Sequence, residues 1–185
     1  MSRTVVLLGP PGSGKGTQAE RLHETLGFAQ LATGDLLRAA RADGTEVGRR
    51  AGEHMDRGDL VPDELIVELV REALAELDGE PVLLDGYPRT VPQAEALEEA
   101  LGERGRELAA VVLIDVPDDV VAERIMGRRQ GRKDDDPETV RERLEVYHRR
   151  TEPLVAFYEE RGLLRRVDGA QDPDAVEADV RGALE

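Results

Sequence analysis

Short apolar runs alternate along the chain with longer stretches in which apolar residues recur every three or four positions. Val5-Val6-Leu7-Leu8 is a continuous apolar run, the pattern of a strand buried on both faces. A glycine loop follows, then Thr17 to Leu26 with Ala19, Leu22 and Leu26 on one helical face. Phe28 to Ala32 reads as an edge-proximal strand. Thr33 to Arg57 is helical in character but interrupted by Gly44, Gly48 and Gly58, which predicts two or three short helices. Pro62 suits the first turn of a helix whose stripe contains Leu65, Ile66, Leu69, Val70, Ala73, Leu74 and Leu77.

The second half repeats the alternation. Val82-Leu83-Leu84-Asp85 follows Pro81 as a second buried run, and Val91 to Leu101 is an amphipathic helix. Ala110 to Val116 is a third run, after which Pro117-Asp118-Asp119 opens a helix through Arg128. Asp136-Pro137 has the form of an N-cap with proline at the first helical position. That helix meets Pro153, which should kink or divide it, and Gly162 ends the stretch. Leu163 to Val167 is a last strand, followed by a helix from about Pro173 to Leu184. Such alternation predicts βαβ units, hence an α/β fold with a parallel β-sheet and helices on both faces. Ligands in such folds sit beyond the carboxyl ends of the strands. The segments starting at Gly9, Asp85 and Val116 therefore belong to the functional edge, and the glycine-interrupted segment reads as an inserted flap.

Length and composition sharpen this picture. The 185 residues suit one domain spanning 1–185, with a small insertion at 32–61 and a shorter one at about 125–136. Aromatic residues are 3% of the chain, so the core must be built from Val, Leu and Ala. No apolar run approaches the length of a membrane span, and the N-terminal run is too short for a signal peptide. A cytoplasmic protein with no membrane partner is expected. The absence of cysteine excludes disulfides and thiolate zinc sites. A net charge of −15 argues against nucleic acid as a partner. Among the 25 basic residues only Lys15 and Lys133 are lysine, a bias that GC-rich codons, heat or salt would each produce. Where arginine is so favoured, a retained lysine points to a chemical requirement.

Gly9-Pro10-Pro11-Gly12-Ser13-Gly14-Lys15-Gly16-Thr17 follows a predicted strand and opens a predicted helix. In that context G-x-x-x-x-G-K is a phosphate loop, which makes the fold P-loop nucleoside triphosphate hydrolase-like. Its glycines let backbone N–H groups converge on an anion, the helix N-terminus favours negative charge, and Lys15 reaches the outer phosphates. The hydroxyl that usually follows the lysine and ligates Mg²⁺ is displaced to Thr17, with Gly16 in its place. Mg²⁺ is therefore expected to be carried by the nucleotide phosphates and water, with Asp85 as an outer-shell acceptor.

The loop at 9–17 closely resembles that of adenylate kinases. So do Ala32-Thr33-Gly34-Asp35-Leu36-Leu37-Arg38, Leu84-Asp85-Gly86-Tyr87-Pro88-Arg89-Thr90 and Glu123-Arg124-Ile125-Met126-Gly127-Arg128-Arg129. The order and spacing match from about residue 4 to residue 171. The resemblance implies a nucleoside-monophosphate kinase catalysing ATP + AMP = 2 ADP, in adenine nucleotide homeostasis, as a cytoplasmic monomer. It implies donor contacts by Gly12, Ser13, Gly14, Lys15, Gly16, Thr17, Arg124, Arg128 and backbone near Gln171. It implies acceptor contacts by Thr33, Arg38, backbone of Asp59, Leu60 and Val61, Gly86, Tyr87, Pro88, Arg89, Gln93, Arg132 and Arg143. Lys15, Arg38, Arg89, Arg124, Arg132 and Arg143 would neutralise the phosphoryl group in flight. Thr33 and Gln93 resemble the adenine-reading choice; relatives acting on pyrimidine acceptors tend to differ there.

Plainer readings compete at several positions. Thr33 also suits a helix cap, Gln93 a solvated surface, and each arginine alone a surface ion pair. Only Arg129-Gln130-Gly131 separates Arg128 from Arg132, so the lid resembles the short type without zinc. Which of Arg128, Arg129 and Arg132 grips phosphate stays open. Asp134, Asp135 and Asp136 are either hinge acids of the lid or a solvated acidic turn. The adenylate kinase lid is itself a standing example of gating by closure, so the expectation of two moving flaps comes with the resemblance. The alternatives are a UMP/CMP kinase of the same architecture, a GTP-binding switch and a non-catalytic nucleotide-binding module. A switch would read guanine through Asn-Lys-x-Asp, and the chain contains no Asn.

Overall fold

The computed structural model describes residues 3–57, 59–77, 79–127 and 137–185. Strand β1 (Arg3–Leu8) leads through loop 9–14 into α1 (Lys15–Leu26), and β2 (Ala29–Ala32) runs directly into α2 (Thr33–Ala42). Helices α3 (Glu46–Arg57) and α4 (Asp63–Glu76) precede β3 (Val82–Asp85), α5 (Val91–Glu103), β4 (Glu107–Asp115) and α6 (Asp118–Gly127). Helix α7 (Pro137–Val146), a π-helical turn (Tyr147–Thr151), α8 (Pro153–Glu160), β5 (Leu164–Asp168) and α9 (Pro173–Ala183) complete the chain.

Among the described residues the strands form one parallel sheet in the order β2-β3-β1-β4-β5. Successive strand residues point to opposite faces. Val6, Leu8, Leu84, Val111 and Leu113 accordingly enter one buried layer with residues of α4, α5 and α8. Val5, Leu7, Leu83, Val112 and Ile114 enter another, with residues of α1, α6 and α9. A fully buried leucine such as Leu22, Leu74 or Leu154 contributes about 2 kcal/mol of transfer free energy. Two aliphatic layers can therefore stand in for aromatic bulk, as the composition requires.

Several boundaries differ from the local sequence pattern. Leu26 is 41% exposed, because Gly27 (φ 70°) ends α1 there and the last turn lies past the packed face. Helix α1 begins at Lys15 rather than Thr17, and Pro62 caps α4 from just outside it. Strand β4 begins at Glu107, three residues before its apolar run, because Arg3 pairs with Glu107 and Thr4 with Leu108. Gly48 does not interrupt a helix. It lies inside α3, where an added Cβ would come 2.1 Å from the Ala40 carbonyl oxygen, so its bareness lets α2 and α3 cross closely. Arg41 clasps the same crossing with a two-pronged pair to Asp56, at 2.8 Å on each prong. The predicted interruption at Pro153 is present in another form. Glu152 N–H bonds back five residues to the Tyr147 carbonyl at 2.9 Å, a wide turn inserted just before the proline that has no N–H to offer. Gly58, the acids Asp134–Asp136 and the lid residues 128–136 lie outside the described residues.

One contact ties this π-helical turn to α6. His148 Nε2 lies 2.9 Å from Asp118 Oδ2, and its Nδ1 lies 3.0 Å from Glu152 Oε2. Hydrogen bonding to Asp118, then to Glu152, raises the imidazole pKa above its ordinary 6.5. A histidine raised in the fold contributes stability that is complete below 6.5 and is lost as pH climbs through the raised value. With the side chain 43% exposed, the effect is small. The melting-temperature gap between wild type and His148→Gln should therefore be widest in acid and close on the alkaline side; a gap independent of pH would contradict the clamp.

Candidate active site

The carboxyl ends of β1, β2, β3 and β4 open on one edge of the sheet, and most of the motif residues gather there. Loop 9–14 leaves β1 with Gly9, Gly12 and Gly14 all at positive φ. Gly12 is required twice over. Its φ of 82° disfavours a side chain, and an added Cβ would lie 2.7 Å from Ile125 Cγ1. The loop is thereby pressed against α6, the helix that carries Arg124. Lys15 Nζ donates to the carbonyls of Gly9 and Pro10 at 2.9 Å each and lies 3.5 Å from Ser13 Oγ. The ammonium is thus held over the loop whose N–H groups form the anion nest. Ser13 is buried and Thr17 exposed at the start of α1.

Asp85 ends β3 beside Leu7 and Ala32 in register. A Cβ at Gly16 would stand 3.6 Å from Asp85 Oδ2, so this carboxylate faces the start of α1. One carboxylate next to a phosphate nest suits a hydrated Mg²⁺, which keeps several waters and binds through few protein groups. The bare Gly16 leaves room for that hydration.

The described residues expected on the acceptor side come from α2, the connection to α4, the loop after β3, α5 and α7. Thr33 is the first residue of α2 and is buried; its hydroxyl donates to the Gly86 carbonyl at 3.0 Å. It caps nothing, since Ala32 occupies the cap position. Arg38, on the exposed side of α2, pairs with Asp35. Asp59, Leu60 and Val61 lie in the connection to α4, Val61 buried and the other two half-buried. Gly86, at φ 79°, turns the chain after β3; an added Cβ would lie 3.1 Å from both Thr33 Oγ1 and an Arg89 nitrogen. Tyr87 is buried, its hydroxyl donating to the Gln93 carbonyl at 3.0 Å, and Pro88 follows it through a cis peptide bond.

Arg89 is the electrostatic centre of the site. Its Nε donates to the Gly86 carbonyl at 2.7 Å, and its own carbonyl accepts from Thr151 Oγ1 at 2.9 Å. Its pKa is lowered first by burial and next by the like charge of Arg143; Asp85 opposes the shift and Arg38 adds to it. Guanidiniums from α2 and α7 therefore both act on the one in the loop after β3. That is the arrangement expected of a site built for an anion with several charges. Several surface arginines pair with acids, Arg38 with Asp35, Arg21 with Asp174 and Glu177, and Arg71 with Glu99 and Glu103.

On the donor side Arg124 is half-buried on α6, with no ion-pair partner among the described residues. Gln171 follows β5; its side-chain amide donates to the Asp168 carbonyl and to Asp179, at 3.1 and 2.9 Å. The adjoining cavity of about 380 Å³ is lined by Asp115, Pro117, Arg166, Val167 and Asp168 at the ends of β4 and β5. Arg128 and Arg132 lie outside the described residues.

Gln93 is not a surface residue. It is 2% exposed on α5, held between Asp63 and the Arg89 backbone. Asp63, Thr90 and Thr151 were not legible as site residues in the sequence. A first-turn acid after Pro62 reads simply as a dipole partner for α4, and nothing local reveals that it reaches a residue thirty positions away.

Among the described residues no helix is long and apolar enough to cross a membrane. The family profile described as adenylate kinase matches residues 7–163. An adenylate kinase of Thermus thermophilus is 55% identical over 186 residues, covering 100% of this chain and 98% of the relative. An adenylate kinase of Stenotrophomonas maltophilia is 49% identical over 183 residues, covering 97% of this chain and 98% of its own. One from Xanthomonas euvesicatoria is 50% identical over the same length, with the same coverage of each chain. With its phosphate loop, its parallel sheet and its family motifs all in register, the chain belongs to the adenylate kinase family.

Proposed function

We propose that the protein transfers a phosphoryl group directly between ATP and AMP, giving two ADP, as a cytoplasmic monomer. The observation that carries this reading is geometric: at the carboxyl edge of the sheet Lys15 Nζ lies over the glycine loop, Asp85 faces the start of α1, and the Arg89 guanidinium is held on the Gly86 carbonyl, in a chain whose net charge is −15. Concentrating like charges against the overall sign costs stability unless a polyanion offsets it. Two nucleotides meeting at their phosphates are such a ligand.

Phosphoryl transfer asks little covalent chemistry of a protein and much positioning and charge neutralisation. The loop 9–14, Ser13, Gly16 and Thr17 receive the donor phosphates, with Lys15 turning from the loop carbonyls to the outer phosphates. Arg38 and Arg89 hold the acceptor phosphate. Arg124 and Arg143 bear on the transferring group, together with whichever of Arg128, Arg129 and Arg132 grips the phosphates. Thr33, Gln93 and the backbone of Asp59 to Val61 receive the acceptor base, and the backbone near Gln171 the donor base. Asp85 would hold Mg²⁺ through water, the ion neutralising phosphate charge. Segment 33–61 closes over the nucleotides and shuts out water, which would otherwise hydrolyse ATP. The contact of α3 with α7, the helix that carries Arg143, supports this reading.

The test is an acceptor screen with ATP against AMP, CMP, UMP and GMP. AMP is expected to be phosphorylated at least about tenfold more efficiently than the pyrimidine nucleotides, as a difference of one or two base hydrogen bonds would give. Faster turnover of UMP or CMP would overturn the acceptor assignment. The naming of close relatives over the full chain favours AMP.

A further inference from the structure

The side-chain amide of Gln93 sits between two partners of opposite and unchangeable character. Its Nε2 donates to Asp63 Oδ1 at 2.6 Å, and its Oε1 accepts from the Arg89 backbone N–H at 2.8 Å. A carboxylate only accepts and a backbone N–H only donates, so the two ends of the amide cannot exchange places without setting like against like at both contacts. Asp63 is itself fixed. Thr90 Oγ1 donates to its two oxygens at 3.2 and 3.1 Å, while the same hydroxyl accepts from the Gln93 backbone N–H at 3.3 Å. Tyr87 hydroxyl donates to the Gln93 carbonyl, so the backbone of this residue is held as well.

We infer that Asp63 is a specificity-determining positioning residue: by pinning the polarity of the Gln93 amide, it makes the acceptor site read a 6-aminopurine and reject a 6-oxopurine. The inference rests on the reading that Gln93 meets the acceptor base. A primary amide has two N–H donors and two carbonyl lone pairs. Asp63 and Arg89 N–H use one of each, leaving one donor and one acceptor for a base. A 6-aminopurine offers a donor at its amino group and an acceptor at the neighbouring ring nitrogen, the complement of that pair. A 6-oxopurine in the same pose offers the reverse, an acceptor and then a donor. To serve it, the amide would have to turn over, placing oxygen against the Asp63 carboxylate and NH₂ against the Arg89 N–H. Because Gln93 is 2% exposed without nucleotide, a base reaches it only as the surrounding side chains rearrange. The polarity lock has to persist through that movement, and the link from Asp63 through Thr90 to the Gln93 backbone supplies the means.

The experiment measures kcat and KM with AMP and with inosine monophosphate, a 6-oxopurine acceptor, at saturating ATP, together with KM for ATP. An Asn side chain presents a donor or an acceptor with equal ease, so Asp63→Asn removes half of the lock at constant shape. The expected result is a rise in KM for AMP and a fall of about tenfold in the AMP-to-inosine-monophosphate ratio of kcat/KM, the effect of losing one well-made base contact, with KM for ATP unchanged. Asp63→Glu, which remains acceptor-only, is expected to keep the ratio within a few-fold of wild type even where kcat drops. If Asp63→Asn does not fold, Asp63→Ser, whose hydroxyl both donates and accepts, carries the same comparison. A wild-type ratio in Asp63→Asn would overturn the inference, as would an equal loss in Asp63→Glu, which would mark Asp63 as merely structural. Gln93→Ala separates the two layers. If it leaves KM for AMP and the ratio untouched, the reading of Gln93 falls and this inference with it. If it lowers the ratio while Asp63→Asn does not, the inference on Asp63 alone fails.

Discussion

Lys15→Met is expected to lower kcat for ADP formation from ATP and AMP by roughly a thousandfold, the loss that follows removal of one preorganised charge-stabilising donor. The methionine keeps the length of the stem and deletes the ammonium. The ammonium donates to the carbonyls of Gly9 and Pro10. Gly9 and Pro10 are buried, so their carbonyls lose a partner with Nζ, and the melting temperature should fall modestly, well short of unfolding. The split between intact fold and lost turnover is the informative outcome. Steady-state kinetics with a thermal melt on the same preparation measures it. A folded Lys15→Met protein with wild-type kcat would remove Lys15 from the chemistry.

Arg89→Ala should cost still more activity, about a thousandfold or beyond, on the scale seen when an arginine that neutralises a transferring phosphoryl group is withdrawn. Its effect on stability should run the other way. Burial and the charge of Arg143 disfavour the charged guanidinium in the fold. A base whose folded pKa lies below its ordinary value subtracts stability at every pH at which it is charged, here the whole accessible range. Against this stand the attraction of Asp85 and the bond from Nε to the Gly86 carbonyl. The variant's nucleotide-free melting temperature is therefore expected to equal or exceed that of wild type, while its rise on adding AMP is reduced, because stabilisation by a ligand scales with affinity. A large drop in the nucleotide-free melting temperature would show that Arg89 supports the fold and that the repulsion is outweighed.

Together these two variants separate the roles of the two cations. Lys15 belongs to a contiguous loop whose form follows from its own glycines, and its position is a property of some nine residues. Arg89 acquires its character first from burial, then from Arg143 on α7, Asp85 at the end of β3 and Arg38 on α2, of which only Asp85 is near it in sequence. The acids show the same division. The pairing of Arg41 with Asp56 holds α2 and α3 together, whereas Asp85 opposes the shift of Arg89.

Much of this molecule is written locally. The apolar runs at Val5, Val82 and Ala110 became strands buried on both faces, and the helical stripes at Ala19 and Leu22, and at Ile66, Val70 and Leu74, became packed faces. Such elements are legible because strand and helix periods are properties of consecutive residues. The phosphate loop is legible for the same reason, its glycine positions being set by backbone conformation within the loop itself. The four motifs in register carry the family, and with it the chemistry.

What only the tertiary structure decided are the matters that depend on which surfaces meet. Strand β4 starts at Glu107 because Arg3 is there to pair with it, not because its residues are apolar. Gly48, read locally as an interruption, is a contact point because the Ala40 carbonyl arrives against it. Gln93 could equally have faced water until α4 placed the Asp63 carboxylate within 2.6 Å of its amide. A polar side chain carries no mark of the partner that will satisfy it. Hydrogen-bond polarity and charge repulsion act over a few ångströms in space, and only folding brings residues so distant in sequence within that range.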